Sequence, residues 1–131
     1  MAIIQLPQLS KVEGIIQGVL ERYVRMIYAE AMSSLKSPQV RSSFRLEIGE
    51  LRAEIWSDDV LAAYIEFGTG PFAAAYLGGK PTEMTEEAIK FYVNGQGNLP
   101  ASPYLFPAFY KYRDEMVRQM DREVQKYFDS L

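Results

Sequence analysis

Apolar side chains recur along this chain with two different periods, and the changes of period mark the elements. Between Ser10 and Leu35 they fall at Val12, Ile15, Ile16, Val19, Tyr23, Met26, Ile27 and Met32. Spacings of three and four line one face of a helix. Ser10-Lys11-Val12-Glu13 has the capping-box pattern, in which the Ser and Glu side chains each satisfy an orphan backbone N–H. The helix is therefore expected to run from about Ser10 to Leu35. Gly14 and Gly18 weaken it by about 1 kcal/mol each relative to Ala. Ser33, Ser34, Ser37 and Pro38 end it. The period then drops to two. Phe44, Leu46 and Ile48 alternate with Arg45 and Glu47, and Leu51, Ala53 and Ile55 alternate with Arg52 and Glu54. Alternation puts each apolar set on one face of a strand. Gly49-Glu50 is the expected tight turn between them. The hairpin has one solvated face, or one face reserved for a partner.

Punctuation organises the second half. Ser57-Asp58-Asp59 can cap a short helix over Val60–Phe67. Gly68-Thr69-Gly70-Pro71 ends it, because Gly supplies a left-handed cap and Pro71 cannot continue a helix. Residues 71–81 read as an irregular, partly apolar loop. Thr82 or Thr85 can cap another short helix through Val93, closed by Asn94-Gly95. Asn94–Pro103 reads as a loop. A long helix is expected over about Pro107–Phe128, since proline is favoured at a first helical position. Its stripe is Phe109, Tyr110, Arg113, Val117, Met120, Val124, Tyr127, Phe128 and Leu131. This order predicts an α+β fold, a small, mainly antiparallel sheet packed by a long N-terminal helix and a long C-terminal helix. A single domain over 1–131 fits the length.

Composition narrows the chemistry. With 48% apolar and 24% charged residues the chain is ordinary for a globular domain. It contains neither cysteine nor histidine. Disulfides, thiolate catalysis, Ser-His-Asp triads and the commonest zinc ligands are thereby excluded. Carboxylates, Lys, Tyr and Ser/Thr remain. A net charge of −3 gives no long-range attraction for a phosphate backbone. Met1–Gln8 lacks a basic start and a long apolar core, so no signal peptide is expected. No run of about 18 apolar residues is present to span a membrane.

Two segments stand out: Ala62-Ala63-Tyr64-Ile65-Glu66-Phe67-Gly68-Thr69-Gly70, and Leu99-Pro100-Ala101-Ser102-Pro103-Tyr104-Leu105-Phe106-Pro107-Ala108. Followed by a long amphipathic helix, they resemble the phage tail-component family typified by the gene-ten product of phage Hong Kong 97. That family shows an aliphatic–Glu–Phe–Gly–Thr signature, then a Pro-Ala-x-Pro-(Phe or Tyr)-Leu-x-Pro-Ala signature before its last helix. The resemblance spans roughly residues 10–128. It implies a structural subunit of the head–tail junction, a neck or tail-completion ring of a long-tailed phage joining the tail to the DNA-filled capsid. Tail terminators and head-closure rings do adjacent jobs and stay as alternatives. The implied partners are identical copies in a homo-oligomeric ring and adjacent neck and tail proteins. DNA would pass through the channel without sequence-specific binding. The implied location is the virion, assembled in the bacterial host cytoplasm. No cofactor, metal, catalytic residue or membrane is expected.

Each conspicuous residue also has a plainer reading. Glu66 is a charged contact that sets ring register, a carboxylate held by backbone N–H groups near Thr69, or a solvent-facing residue at a helix end. As a catalytic acid it lacks a second carboxylate at a telling spacing. Gly68 and Gly70 sit at a helix end, where the dipole is negative, so a C-cap suits them better than a phosphate cradle. Asp58-Asp59 and Glu86-Glu87 lack the loop spacing of a calcium site and read as caps or dipole partners. Pro100, Pro103 and Pro107 gather Tyr104, Phe106, Phe109 and Tyr110 into an aromatic–proline cluster. Part of it, with Phe67, Phe72 and Tyr76, is expected to form an apolar surface buried only between subunits. The expected interface residues are Glu66, Phe67, Gly68, Thr69, Phe72, Tyr76, Pro103 and Tyr104. The rival classes are a small peptide- or ligand-binding module near Phe72–Tyr76 and a hydrolase using carboxylates alone.

Overall fold

A long helix, Leu6–Ser34 (α1), begins the structure, a computed structural model that describes residues 6–89 and 97–131. It starts before Ser10, so the capping-box pattern lies inside the helix and not at its end. Val19, Tyr23, Ile27, Ala31 and Leu35 follow one another at i, i+4 spacing and are all buried. After α1 the chain does not run straight into a strand. Ser37 caps a short second helix, Pro38–Ser43 (α2), by accepting from the Val40 N–H at 3.3 Å. Pro38 therefore starts a helix as well as ending one, with its fixed φ at the first position.

The hairpin forms as the alternation predicts, from Phe44–Gly49 (β1) and Arg52–Ser57 (β2). The antiparallel register pairs Leu46 with Ile55 and Ile48 with Ala53, which puts the apolar sets on one face. The turn lies one residue later than expected. Gly49 and Arg52 close the ladder, and Glu50-Leu51 makes the bend. Leu51 takes φ +52°, the left-handed region that costs a side-chain-bearing residue roughly 1–2 kcal/mol. Gln17 on α1 grips this turn. Its Nε2 donates to the Gly49 carbonyl at 2.9 Å, and its Oε1 accepts from the Leu51 N–H at 2.5 Å.

Ser57 and Asp59 hand the chain on to the helix Val60–Phe67 (α3). Asp59 accepts from the Leu61 N–H at 3.0 Å as its cap. The segment expected to be an irregular loop is instead a helix, Gly70–Leu77 (α4). Pro71 sits in its first turn, where a missing N–H does no harm, and Ala73-Ala74-Ala75 supplies the best helix formers. The next helix, Thr82–Ile89 (α5), begins where expected. Val93 and Asn94-Gly95, its expected end, lie outside the described residues. The last helix is Leu105–Asp129 (α6), two residues earlier at its start than Pro107.

α1 and α6 form the backbone of the fold. Glu30 pairs with Lys111 at 2.5 Å, and Tyr23 donates to Glu115 at 3.0 Å. Numbers rise on one helix as they fall on the other, so the two run antiparallel. The face of α6 turned inward passes through Ala108 and Tyr112; Val117, placed in the stripe by its spacing, is 55% exposed. The main core joins Ile27, Ala31, Leu35, Val40, Phe44, Ala62 and Tyr104. A second cluster gathers Phe67, Met84 and Ala88 beneath Phe106 and Tyr110. Leu35, Met84 and Val40 are the most deeply buried large side chains, each worth roughly 1.5–3 kcal/mol of transfer free energy. Among the described residues the architecture is α+β, with two long helices packed together and one two-stranded antiparallel sheet.

Candidate functional site: a buried joint and an open groove

The two conspicuous segments meet. Every α-helix begins with backbone N–H groups that lack an intrahelical partner. In α6 those of Tyr104, Leu105 and Phe106 point at one carboxylate, that of Glu66. Its Oε2 accepts from Tyr104 at 2.7 Å and Leu105 at 3.0 Å, and its Oε1 accepts from Phe106 at 2.8 Å. Pro107, next in line, has no N–H to offer. A negative group here also suits the positive end of the helix dipole. Glu66 is only 2% exposed. Burial pushes its carboxyl above the usual carboxylate range, while the three N–H groups pull it back down.

The remaining residues of both segments close the same joint. Gly68 ends α3 with φ +77°, and its N–H donates to the Tyr64 carbonyl at 2.8 Å. A Cβ built on Gly68 would lie 2.8 Å from the Ala101 nitrogen and 3.0 Å from the Leu99 carbonyl oxygen. Only glycine fits that conformation and that approach. Thr69 then bonds Leu99 twice. Its N–H donates to the Leu99 carbonyl at 2.9 Å, and its Oγ1 accepts from the Leu99 N–H at 2.8 Å. That use of the hydroxyl explains why Thr69 does not cap α4 with its side chain. Gly97 lets its backbone lie against Thr69, since a Cβ there would come within 2.5 Å of Oγ1. The Ser102 N–H reaches the Ile65 carbonyl at 2.8 Å, and the Tyr104 hydroxyl donates to the Ala62 carbonyl at 2.7 Å. Phe67 stacks on Phe106 with ring centroids 5.6 Å apart, and Tyr104 meets Phe44 edge-on at 5.8 Å. Burial, then the charges of Glu66 and Asp59, raise the Tyr104 hydroxyl well above its ordinary value.

The eight residues expected at an interface therefore divide. Glu66, Phe67, Gly68 and Tyr104 are buried within the chain itself, and Thr69 is half-buried in the joint. Glu66 is held by backbone N–H groups, but those of Tyr104–Phe106 and not of the turn near Thr69. Pro103 and Tyr76 are half-buried; Tyr76 lies under the Lys80 ammonium, 4.9 Å from the ring centre. Burial and the nearby Glu66 raise the Tyr76 hydroxyl to about 12. Phe72 alone of the eight is openly exposed, at 45%.

Chemically the joint suits positioning. The Glu66 oxygens face three backbone donors and the group is nearly fully buried, beside a cleft of about 140 Å³ that Trp56, Glu87 and Tyr104 also line, so its lone pairs are committed to holding the start of α6. Among the described residues no buried side-chain polar atom lacks a partner, and no group of three or more acidic side chains converges to hold a metal ion.

A second feature went unread in the sequence. An open apolar groove of about 290 Å³ runs between α1, β2 and α6. Leu20, Val24 and Ile27 form one wall, Ala53 and Ile55 the floor, and Phe109 and Met116 the other wall. The signal for it is the apolar face of the hairpin together with the α1 stripe. Their periodicity announces burial but not how completely each face is filled. No family model, curated protein or solved structure matches the chain.

Proposed function

We propose that the chain is a structural subunit of the head–tail junction of a long-tailed phage, one copy of a homo-oligomeric neck or tail-completion ring, and that it carries out no reaction. The joint is the observation that carries this proposal. The segments bearing the resemblance are not two separate coincidences of sequence, because each supplies what the other lacks. Glu66 needs the amides of residues 104–106, Gly68 needs its absent Cβ to admit residues 99–101, and Thr69 needs Leu99. A signature whose residues all position one helix suits a scaffold better than an active site. The absence of histidine and cysteine from the sequence points the same way. A mildly negative subunit also suits a passage through which DNA slides without sticking.

One observation favours a second reading, a small ligand- or peptide-binding module. The 290 Å³ groove approaches the size of ligand sites. Its nine lining residues are all apolar, however, and it lacks the placed polar groups that orient a small molecule.

Multi-angle light scattering and negative-stain imaging test the proposal, on the protein alone and with extracted neck components of its phage. A closed ring, alone or on the neck template, is expected. A persistent monomer that joins no neck component would contradict it.

A further inference from the structure

We propose that the hairpins of neighbouring copies join edge to edge, the free side of β1 in one copy pairing antiparallel with the free side of β2 in the next. This contact rests on the self-assembling subunit proposed above and names the two surfaces that meet.

Among the described residues β1 and β2 make a sheet of two strands, so each strand has one unpaired edge. The two-residue bend makes Gly49 and Arg52 the bonded pair that closes the ladder, and bonded and non-bonded pairs alternate from there. Glu47 therefore bonds with Glu54, and Arg45 with Trp56. The backbone N–H and C=O of Leu46 and Ile48 on β1, and of Ala53 and Ile55 on β2, point outward instead. No other backbone group among the described residues bonds to them. Such edges are templates for another strand, and closing a sheet on itself removes them.

Charge decides which strand arrives, and in what register. On the solvent face Glu47 lies directly opposite Glu54, a like-charge pair that costs the hairpin stability. Arg52 is ion-paired with Glu54. Arg45 lies over the Trp56 ring, 5.0 Å from its centre, and among the described residues neither it nor Glu47 has an ion-pair partner. In a ring whose strands run along its axis, rotation keeps every β1 parallel, so β1 of one copy runs antiparallel to β2 of the next. Setting Leu46 opposite Ala53 of the next copy matches outward-pointing backbone to outward-pointing backbone. The same register sets Arg45 against Glu54 and Glu47 against Arg52. Repeating the hairpin's own register, Leu46 opposite Ile55, would set Glu47 against Glu54 a second time. The favoured register is shifted from it by two residues, and a shift repeated at each contact tilts the strands, as closure into a barrel requires. Pairing β1 with β1 across a two-fold axis would match Arg45 to Glu47. It would give each chain half as many opposite-charge contacts and leave the edge of β2 bare.

The chain has no cysteine, so directed cross-linking starts from a silent background. Arg45→Cys and Glu54→Cys are prepared separately, with circular dichroism to verify folding. Their mixture is expected to give a covalent heterodimer on mild oxidation, and each variant alone to remain uncross-linked. Arg45→Glu in the full chain is expected to weaken self-association about fivefold or more, since repulsion replaces attraction at every contact. Adding Glu54→Arg to it is expected to restore association, whereas adding Glu47→Arg is not. An oligomer that gives no heterodimer, and whose association Arg45→Glu leaves unchanged, overturns this contact and leaves the ring standing. Rescue by Glu47→Arg in place of Glu54→Arg overturns it in favour of β1 meeting β1. A monomer at every concentration, alone and with extracted neck components, overturns the contact and self-assembly together.

Discussion

Glu66 and Gln17 do the same job in two places and at two depths. Each is a helix side chain that satisfies backbone groups far away in sequence. Glu66 holds the three free N–H groups at the start of α6. Gln17 holds one N–H and one carbonyl of the hairpin turn. The difference is water. Glu66 is buried, so water replaces it poorly if it is lost. The turn is exposed, so solvent takes over from Gln17. An unsatisfied buried group costs its full desolvation, while an exposed one costs almost nothing.

The largest expected effect is at the buried site. Glu66→Ala removes the acceptor of one buried and two part-buried N–H groups and should lower unfolding stability by about 3–5 kcal/mol in urea titrations. Glu66→Gln should cost less, about 1–3 kcal/mol, because its carbonyl can still accept while its NH2 confronts a donor. A loss in Glu66→Ala with none in Glu66→Gln would show that volume matters here and the second acceptor oxygen does not. Gly68→Ala comes next, at about 2–3 kcal/mol, from the left-handed backbone and the close approach of Ala101. A thermal unfolding midpoint unchanged by Gly68→Ala would contradict the geometry of the joint.

The buried region should also show itself at alkaline pH. Tyrosine in the unfolded chain titrates near 10, whereas Tyr76 rises to about 12 and Tyr104 is raised further. The folded chain keeps protons that the unfolded chain releases, so this contribution is fully present below pH 10 and is lost as pH rises through the folded values. The urea midpoint should fall between about pH 9 and 11.5, and Tyr104→Phe should flatten that fall. A midpoint independent of pH over that range would show that neither hydroxyl is sequestered.

The smallest effects belong to the open turn. Gln17→Ala should cost only about 0.5 kcal/mol. Leu51→Gly should raise stability by up to about 1 kcal/mol, by removing a side chain from the left-handed region. A gain there would also mark Leu51 as retained against its own conformational preference.

Much of the fold was legible because its elements obey short-range rules. The i, i+4 series from Val19 to Ala31, the alternation through β1 and β2, and the Asp59 cap all act within a few residues. α4 was hidden because Gly70-Pro71 reads equally well as a stop and as a start. Proline tells only that no N–H is needed, and both ends of helices meet that condition. The turn slipped to Glu50-Leu51 because a remote side chain, Gln17, stabilises a conformation that Leu would not choose. That backbone N–H groups hold Glu66 was among the readings, but which ones was out of reach for the same reason. Its partners begin 38 residues away, and their significance depends on the missing N–H of Pro107 and the missing Cβ of Gly68. Glu66, Phe67, Gly68 and Tyr104 were conspicuous because they are constrained, and constraint within one chain looks the same in a sequence as constraint between chains.

Native-state hydrogen exchange at the amides of Tyr104, Leu105 and Phe106 tests most directly whether Glu66 fastens the start of α6. In the unmodified chain these three should exchange nearly as slowly as the buried middle of α1 around Ile27. In Glu66→Gln they should speed up selectively while Ile27 stays protected. Fast exchange at all three amides in the unmodified chain, or equal protection in both proteins, would contradict the joint described here.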